Sequence, residues 1–129
     1  MSSRPAVTTR GSLLGSWAPV LLWAGVIFAF SSVPSLSTEL GTWDTILRKV
    51  AHVAEYAILG ALLCRAVRKP WLAVALAVLY AVSDEVHQTF VEGRVGAPLD
   101  VGIDALGVLV GVLLWARLAG RAGRLGRGT

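Results

Sequence analysis

Apolar segments of membrane-spanning length alternate with short polar connections along this chain of 129 residues. The four segments run from about Leu13 to Phe30, Ile46 to Cys64, Trp71 to Phe90 and Leu99 to Leu118. An α-helix rises about 1.5 Å per residue, so each segment is long enough to cross a hydrocarbon core roughly 30 Å thick. Proline, glycine and serine mark the connections. The pattern predicts an all-α membrane protein with four transmembrane helices in a bundle.

The composition agrees with a membrane protein. Hydrophobic residues make up 55% of the chain and charged residues only 16%, whereas soluble domains carry roughly 25% charged residues. We expect one transmembrane domain at 13–118, between an N-terminal segment at 1–12 and a basic tail at 119–129. The net charge of +4 does not indicate nucleic-acid binding, because no basic face has interleaved aromatic residues. Cys64 stands alone, so no intramolecular disulfide is expected.

Basic residues lie on one side of the predicted bundle. Four spans place both termini on the same face, and the second connection, which carries Arg65, Arg68 and Lys69, falls on that face too. Arginines also precede the first segment and follow the fourth. Cytoplasmic loops are enriched in lysine and arginine. We therefore expect both termini in the cytoplasm and a multi-pass location in a bacterial plasma membrane.

An alternative for the first segment is a cleaved signal peptide. Arg4 and Arg10 form a basic start, and Ala29-Phe30-Ser31 has the small residues that such a cleavage site requires. The apolar run is longer than the usual signal-peptide core of about 7–15 residues, which favours a retained helix. Cleavage would leave three spans and would not move the charged residues of the other segments.

Ionisable residues gather at one end of each of three segments. The predicted orientation places these three ends on the extracytoplasmic side of the membrane. A charged group inside hydrocarbon is costly unless it is paired or hydrated, so such a residue indicates a functional site by default. Here a whole cluster comes from separate helices, which strengthens the hypothesis. Its members are Lys49, His52, Glu55, Asp84, Glu85, His87, Arg94, Asp100 and Asp104.

Helical spacing assigns these polar residues to single helix faces. Within each helix they recur three or four positions apart, and residues at that spacing are neighbours on the helix surface. On the fourth helix, Asp100 and Asp104 continue into Gly107 and Gly111, and small residues let membrane helices approach closely. We expect this helix to bring its carboxylates against the second and third helices. The polar face of the second helix consists of Lys49, His52 and Tyr56. That of the third helix consists of Asp84, His87 and Gln88.

Three motifs carry a family resemblance. They are Lys49-x-x-His52-x-x-x-Tyr56-x-x-Leu59-Gly60, Asp84-Glu85-x-x-Gln88-x-Phe90, and Gly93-Arg94 followed by Asp100-x-x-x-Asp104-x-x-Gly107-x-x-x-Gly111. In combination they resemble the VanZ family of small bacterial membrane proteins, over roughly residues 30–114. The chain departs at Asp104, where the family often carries asparagine. The resemblance implies a cell-envelope protein from a family named for a protein associated with reduced susceptibility to the glycopeptide teicoplanin, and it implies no defined reaction.

The charged cluster is interpreted first as a binding pocket at the outer leaflet. An arginine such as Arg94 holds a phosphate or carboxylate through two hydrogen bonds, and a lysine adds a point charge. The expected ligands are membrane lipids or an anionic, lipid-linked envelope precursor whose tail stays in the bilayer. The expected binding residues are Lys49, Tyr56, Gln88, Arg94, Asp100 and Asp104.

Catalysis in the same pocket is an alternative. A membrane-embedded hydrolase or phosphotransferase acting on a lipid-linked precursor would use Asp84, Glu85 and His52 as general acid and base. No serine lies in a recognisable nucleophile motif, so such an enzyme would activate water.

Two further alternatives remain. In one, Lys49 and Arg94 bridge the more numerous carboxylates, and the ion pairs only lock a structural or partner-binding membrane module. In the other, histidines and carboxylates one turn apart, such as His52 with Glu55 and Asp84 with His87, bind a divalent metal. The nearby cations oppose that arrangement, so no cofactor is expected.

Overall fold

The computed structural model describes residues 10–34 and 41–126, which form four helices. These are α1 (Arg10–Ser31), α2 (Thr42–Val67), α3 (Pro70–Gln88) and α4 (Pro98–Leu125). The all-α class expected from the apolar segments is confirmed for this part of the chain. Within α1 the stretch Leu13–Ser31 is long and apolar enough to cross a membrane, and so are α2 and α4. The third helix, of 19 residues, is not among these three candidate spans, and its last turns carry Asp84 and Glu85.

The helix ends follow from local sequence. Pro70 and Pro98 occupy the first turns of α3 and α4, where the missing N–H costs nothing. Arg68 ends α2 in a left-handed conformation with φ of 56°, and its N–H donates to the Cys64 carbonyl. The last helix continues past Leu118 to Leu125. Much of the basic segment expected as a tail is therefore helical, since alanine, leucine and arginine favour helix.

The second and fourth helices run parallel to each other. Near their N-terminal ends, Lys49 Nζ lies 3.3 Å from Asp100 Oδ1, and His52 Nδ1 lies 3.1 Å from Asp104 Oδ1. Because α2 and α4 are parallel, the chain must run back from the end of α2 to the start of α4, and α3 provides this connection. It packs against both α2 and α4, whereas α1 packs mainly against α2.

Glycines allow the second and fourth helices to make the closest contact in the bundle. A Cβ added at Gly107 would lie 2.5 Å from the Val53 carbonyl oxygen, and one added at Gly60 would lie 2.7 Å from that of Val108. At Gly111 an added Cβ would overlap the carbonyl oxygen of Ala57. The expectation that α4 packs tightly through its glycine face is confirmed.

The interior of the bundle is narrow. The third helix contributes a row of fully buried alanines, Ala73, Ala77 and Ala81, at a four-residue spacing that keeps one small face inward. Large apolar side chains also point outward, with Leu21 and Leu22 about 70% and 72% exposed. An apolar exterior of this kind is what a helix surrounded by lipid presents.

A Gly111→Ala substitution tests the close helix contact. Overpacking costs about 1–3 kcal/mol, so the free energy of unfolding, measured by chemical denaturation in detergent micelles, should fall by that amount. Gly120→Ala is the matched control, because the space around Gly120 in the same helix is open. It should gain up to about 1 kcal/mol from helix propensity alone. Equal stability of the two variants would contradict the contact.

Candidate functional site

The ionisable residues of three helices meet at one end of the bundle. This end is formed by the C-terminal ends of α1 and α3 and the N-terminal parts of α2 and α4. Contacts between polar side chains join all four helices at this end. The gathering expected from helical spacing is thus present among the described residues.

Asp84 is the most densely hydrogen-bonded of the carboxylates. Its Oδ2 accepts from Ser31 Oγ at 2.7 Å, Tyr56 OH at 3.3 Å and Gln88 Nε2 at 3.2 Å. The residue is only 3% exposed, and its Oδ1 has no hydrogen-bond partner among the described residues. Donors from α1, α2 and α3 converge on one oxygen, so Asp84 holds these helices together.

Glu85 fastens the third helix to the start of the fourth. Its Oε1 accepts a hydrogen bond from the backbone N–H of Ala97, the residue directly before α4. Glu85 is buried, and its Oε2 has no partner in the described part of the chain. The contact fixes where the loop after α3 ends and α4 begins.

Two polar pairs connect the second and fourth helices. His52 bonds to Asp104, which is 1% exposed, and Lys49 pairs with Asp100 at a more exposed position. The carboxylate at Asp104 therefore lies in a buried contact with an imidazole. The fourth helix was expected to bring its carboxylates against the second and third helices, and these contacts confirm that expectation for the second helix.

Arg94 has a different partner from the one that the ion-pair hypothesis predicted. Its Nε donates to the Val33 carbonyl at 2.9 Å, and its Nη2 donates to that of Phe30 at 3.1 Å. It forms no ion pair with a carboxylate among the described residues, so the prediction that Arg94 bridges carboxylates is wrong there. The C-terminal end of α1 carries a partial negative charge, which attracts a cation.

The two histidine–carboxylate pairs expected to bind a metal have other hydrogen-bond partners in the structure. His52 bonds to Asp104 rather than to Glu55, and Asp84 is occupied by neutral donors. His87 Nε2 lies 3.0 Å from Ser32 Oγ, and its ring stacks on Phe28. In the described ranges, no group of three His, Cys, Asp or Glu side chains is placed to hold a metal ion.

Two cavities open at this end of the bundle. The first has a volume of about 270 Å³ and a polar lining that includes Asp44, Thr45, Lys49, Gln88, Asp100 and Asp104. The second, of about 430 Å³, is lined mainly by Phe30, Ser31, Val33, Pro34, Ala51 and Glu55. Three residues line both cavities, namely Arg48, His52 and Arg94.

The residues expected to bind a ligand are distributed unevenly around these cavities. Lys49, Gln88, Arg94, Asp100 and Asp104 line the polar cavity. Tyr56 lines neither, because it is fully buried and donates its hydroxyl to the Asp84 carboxylate.

The residues expected to be catalytic are also divided. His52 lines both cavities. Asp84 and Glu85 line neither, and Asp84 reaches the cavities only through Gln88 on one side and Ser31 on the other.

Some site residues were not singled out from the sequence. Asp44 pairs with Arg48 at 2.9 Å, and their four-residue spacing on a helix is a signal that would have found the pair. Thr45 lies three positions before Arg48 on the same helix, so helical spacing would have placed it on the same face. The contact of Ser31 with Asp84 had no comparable signal, because it joins helices far apart in the chain.

The fold and the site together define a helical membrane protein with a charged cluster at one end of its bundle. The chain belongs to the VanZ/LLP1 family, whose model matches residues 16–119. Searches of curated proteins and of solved structures each found no match. Family membership therefore agrees with the resemblance carried by the three motifs.

A Ser31→Ala substitution tests the role of Asp84 in holding the helices together. The variant removes one donor from a buried carboxylate, which should lower the free energy of unfolding in detergent by about 1–3 kcal/mol. Ser83→Ala is the control, since the exposed Ser83 hydroxyl bonds only to a backbone carbonyl of its own helix. Equal effects of the two substitutions would show that the Ser31 hydrogen bond contributes nothing.

Proposed function

We propose that this protein is a four-span protein of the bacterial plasma membrane whose charged end binds an anionic envelope component at the outer leaflet. The parallel arrangement of α2 and α4 supports the fourth span, because α3 must cover the distance between their opposite ends. Its 19 residues correspond to about 28 Å of helix. The basic residues at the other end support a cytoplasmic position for both termini.

Site-directed labelling tests this orientation. In a Cys64→Ala background, Glu92→Cys should react with a membrane-impermeant maleimide in intact cells, because the exposed Glu92 lies in the connection at the charged end. Arg121→Cys, also exposed but in the last turns of α4, should react only after permeabilisation. The reverse labelling pattern would overturn the proposed orientation and place the charged end in the cytoplasm.

Arg94 carries the binding proposal. It lines both cavities, and within the described residues its charge is not neutralised by a carboxylate in contact. Two of its N–H groups hold the end of α1, which fixes the guanidinium in place. A guanidinium has five N–H donors, so others remain for a phosphate or carboxylate oxygen. Arg48 and Lys49 add further positive charges to the polar cavity.

Binding of a polyprenyl phosphate to the purified protein in phosphatidylcholine nanodiscs tests the proposal. Arg94→Gln should weaken binding about 10- to 100-fold, as expected for charge-assisted hydrogen bonds of about 1.5–3 kcal/mol. Lys49→Gln should weaken it less, and it leaves the contacts of Arg94 with α1 in place. Arg121→Gln, at the other end of the bundle, should bind like the wild type.

The outcomes of this experiment separate the alternatives. Normal binding by a folded Arg94→Gln protein would contradict the binding proposal and favour a structural or partner-binding module in the membrane. Release of inorganic phosphate from the bound lipid would favour the membrane-embedded hydrolase instead. One observation supports that second candidate, namely that His52 lines both cavities while Asp104 orients its ring, which is the arrangement of a general base and its positioning carboxylate.

We also propose that binding at this site influences susceptibility to glycopeptide antibiotics. A protein that binds a lipid-linked precursor at the outer leaflet would act on the material that such antibiotics encounter there. Family membership, which covers most of the chain, supports this link.

A further inference from the structure

The two cavities share one wall but differ in chemistry. Arg48, His52 and Arg94 line both of them, so basic side chains stand where the cavities meet. Arg48 is paired with Asp44 and Arg94 holds backbone carbonyls, which keeps both guanidinium groups in place. A phosphate at this boundary would contact both cavities at once.

The polar cavity is suited to a group with hydrogen-bond donors. Its lining places the carboxylates of Asp44 and Asp100 and the hydroxyl of Thr45 around a volume of about 270 Å³. Ionised carboxylates only accept hydrogen bonds, so they favour ligand hydroxyl or amino groups and disfavour a second bare anion. A sugar or an amine meets this requirement.

The second cavity is suited to a hydrocarbon chain. Phe30, Val33, Pro34 and Ala51 make its lining mostly apolar, around a volume of about 430 Å³. Phe30 and Val33 are 59% and 52% exposed at the end of α1, so this wall is accessible from outside the bundle. For a helix that crosses a membrane, outside the bundle means the lipid, which is where an acyl or prenyl chain already lies.

We propose that the two cavities form one site for an amphiphilic phosphate diester. The phosphate lies between Arg48, His52 and Arg94, the donor-bearing head enters the polar cavity, and the start of the lipid chain lies in the apolar cavity. The inference rests on the proposed function and narrows its ligand to lipid phosphates whose head carries hydroxyl or amino groups. A lipid-linked phosphosugar and an amino-headed phospholipid share this chemistry.

Filling each cavity separately tests the division. Ala51→Trp fills the apolar cavity and Thr45→Trp the polar one, and both residues are exposed on α2, where a larger side chain does not disturb the core. Val50→Trp is the matched control, since Val50 is 60% exposed and lines neither cavity. The ligands are polyprenyl phosphate, polyprenyl phosphosugar and a water-soluble sugar 1-phosphate, with dissociation constants measured in phosphatidylcholine nanodiscs.

The two variants should affect different ligands. Ala51→Trp should weaken both polyprenyl lipids about tenfold, by excluding apolar chain from its cavity, and leave the sugar 1-phosphate unchanged. Thr45→Trp should weaken the phosphosugar lipid and the sugar 1-phosphate about tenfold and leave polyprenyl phosphate unchanged. Val50→Trp should bind all three like the wild type.

Failure of this inference is distinguishable from failure of the proposed function. If the wild type binds the lipids but the two variants weaken all ligands equally or none, the two-part site is overturned and anion binding at Arg94 stands. If the wild type binds none of the ligands, both are overturned. Competition by phosphatidylethanolamine then identifies the source of the ligand. If this phospholipid displaces the phosphosugar lipid, the natural ligand is the phospholipid, and if it does not, the natural ligand is the lipid-linked sugar. Either result supports the two-part site.

Discussion

The close contact between α2 and α4 is the constraint on which the rest of the structure depends. Apolar burial gives little driving force for helix association in lipid, so packing and interhelical hydrogen bonds must hold the helices together. Gly107 and Gly111 let the backbone of α4 approach that of α2 without an intervening side chain. This approach brings Asp104 within 3.1 Å of His52 and Asp100 within 3.3 Å of Lys49. A wider separation would leave these carboxylates without partners.

Buried carboxylates at this end need compensation, and they obtain it from different helices. Asp84 receives donors from α1, α2 and α3, and Glu85 receives the backbone N–H of Ala97. These carboxylates therefore tie the helices together through neutral donors, whereas the ion-pair hypothesis expected Lys49 and Arg94 to bridge them. Arg94 differs, because its partners are carbonyls and its charge lines both cavities. The proposed binding role of Arg94 is therefore compatible with a structural role for the other members of the cluster, and Arg94 itself also holds the end of α1.

Periodicity in the sequence was sufficient to predict the helices and their polar faces. Residues three or four positions apart on one helix share a face. Asp104 shares its face with Gly107 and Gly111, which permit close helix packing, so its position against α2 could be predicted. The partner of Arg94 did not follow, because a loop residue has no fixed periodic direction. A pocket at this end was predicted, but its division into two cavities was not, since their walls depend on how far apart the ends of α1 and α2 lie. The continuation of α4 to Leu125 was missed because hydropathy falls at the arginines while helix propensity does not.

The first helix packs less extensively against the rest of the bundle than the other helices do. It contacts α2 and, less extensively, α3, and in the described ranges it makes no contact with α4. At the charged end it is held by Ser31 on Asp84 and by Arg94 on the carbonyls of Phe30 and Val33. The guanidinium that would recognise an anion therefore also positions the apolar wall of the second cavity. An anion on its remaining N–H groups need not displace the carbonyls, because a guanidinium donates in several directions at once. In the proposed site, recognition of the anion and the shape of the cavity beside it would consequently depend on one side chain.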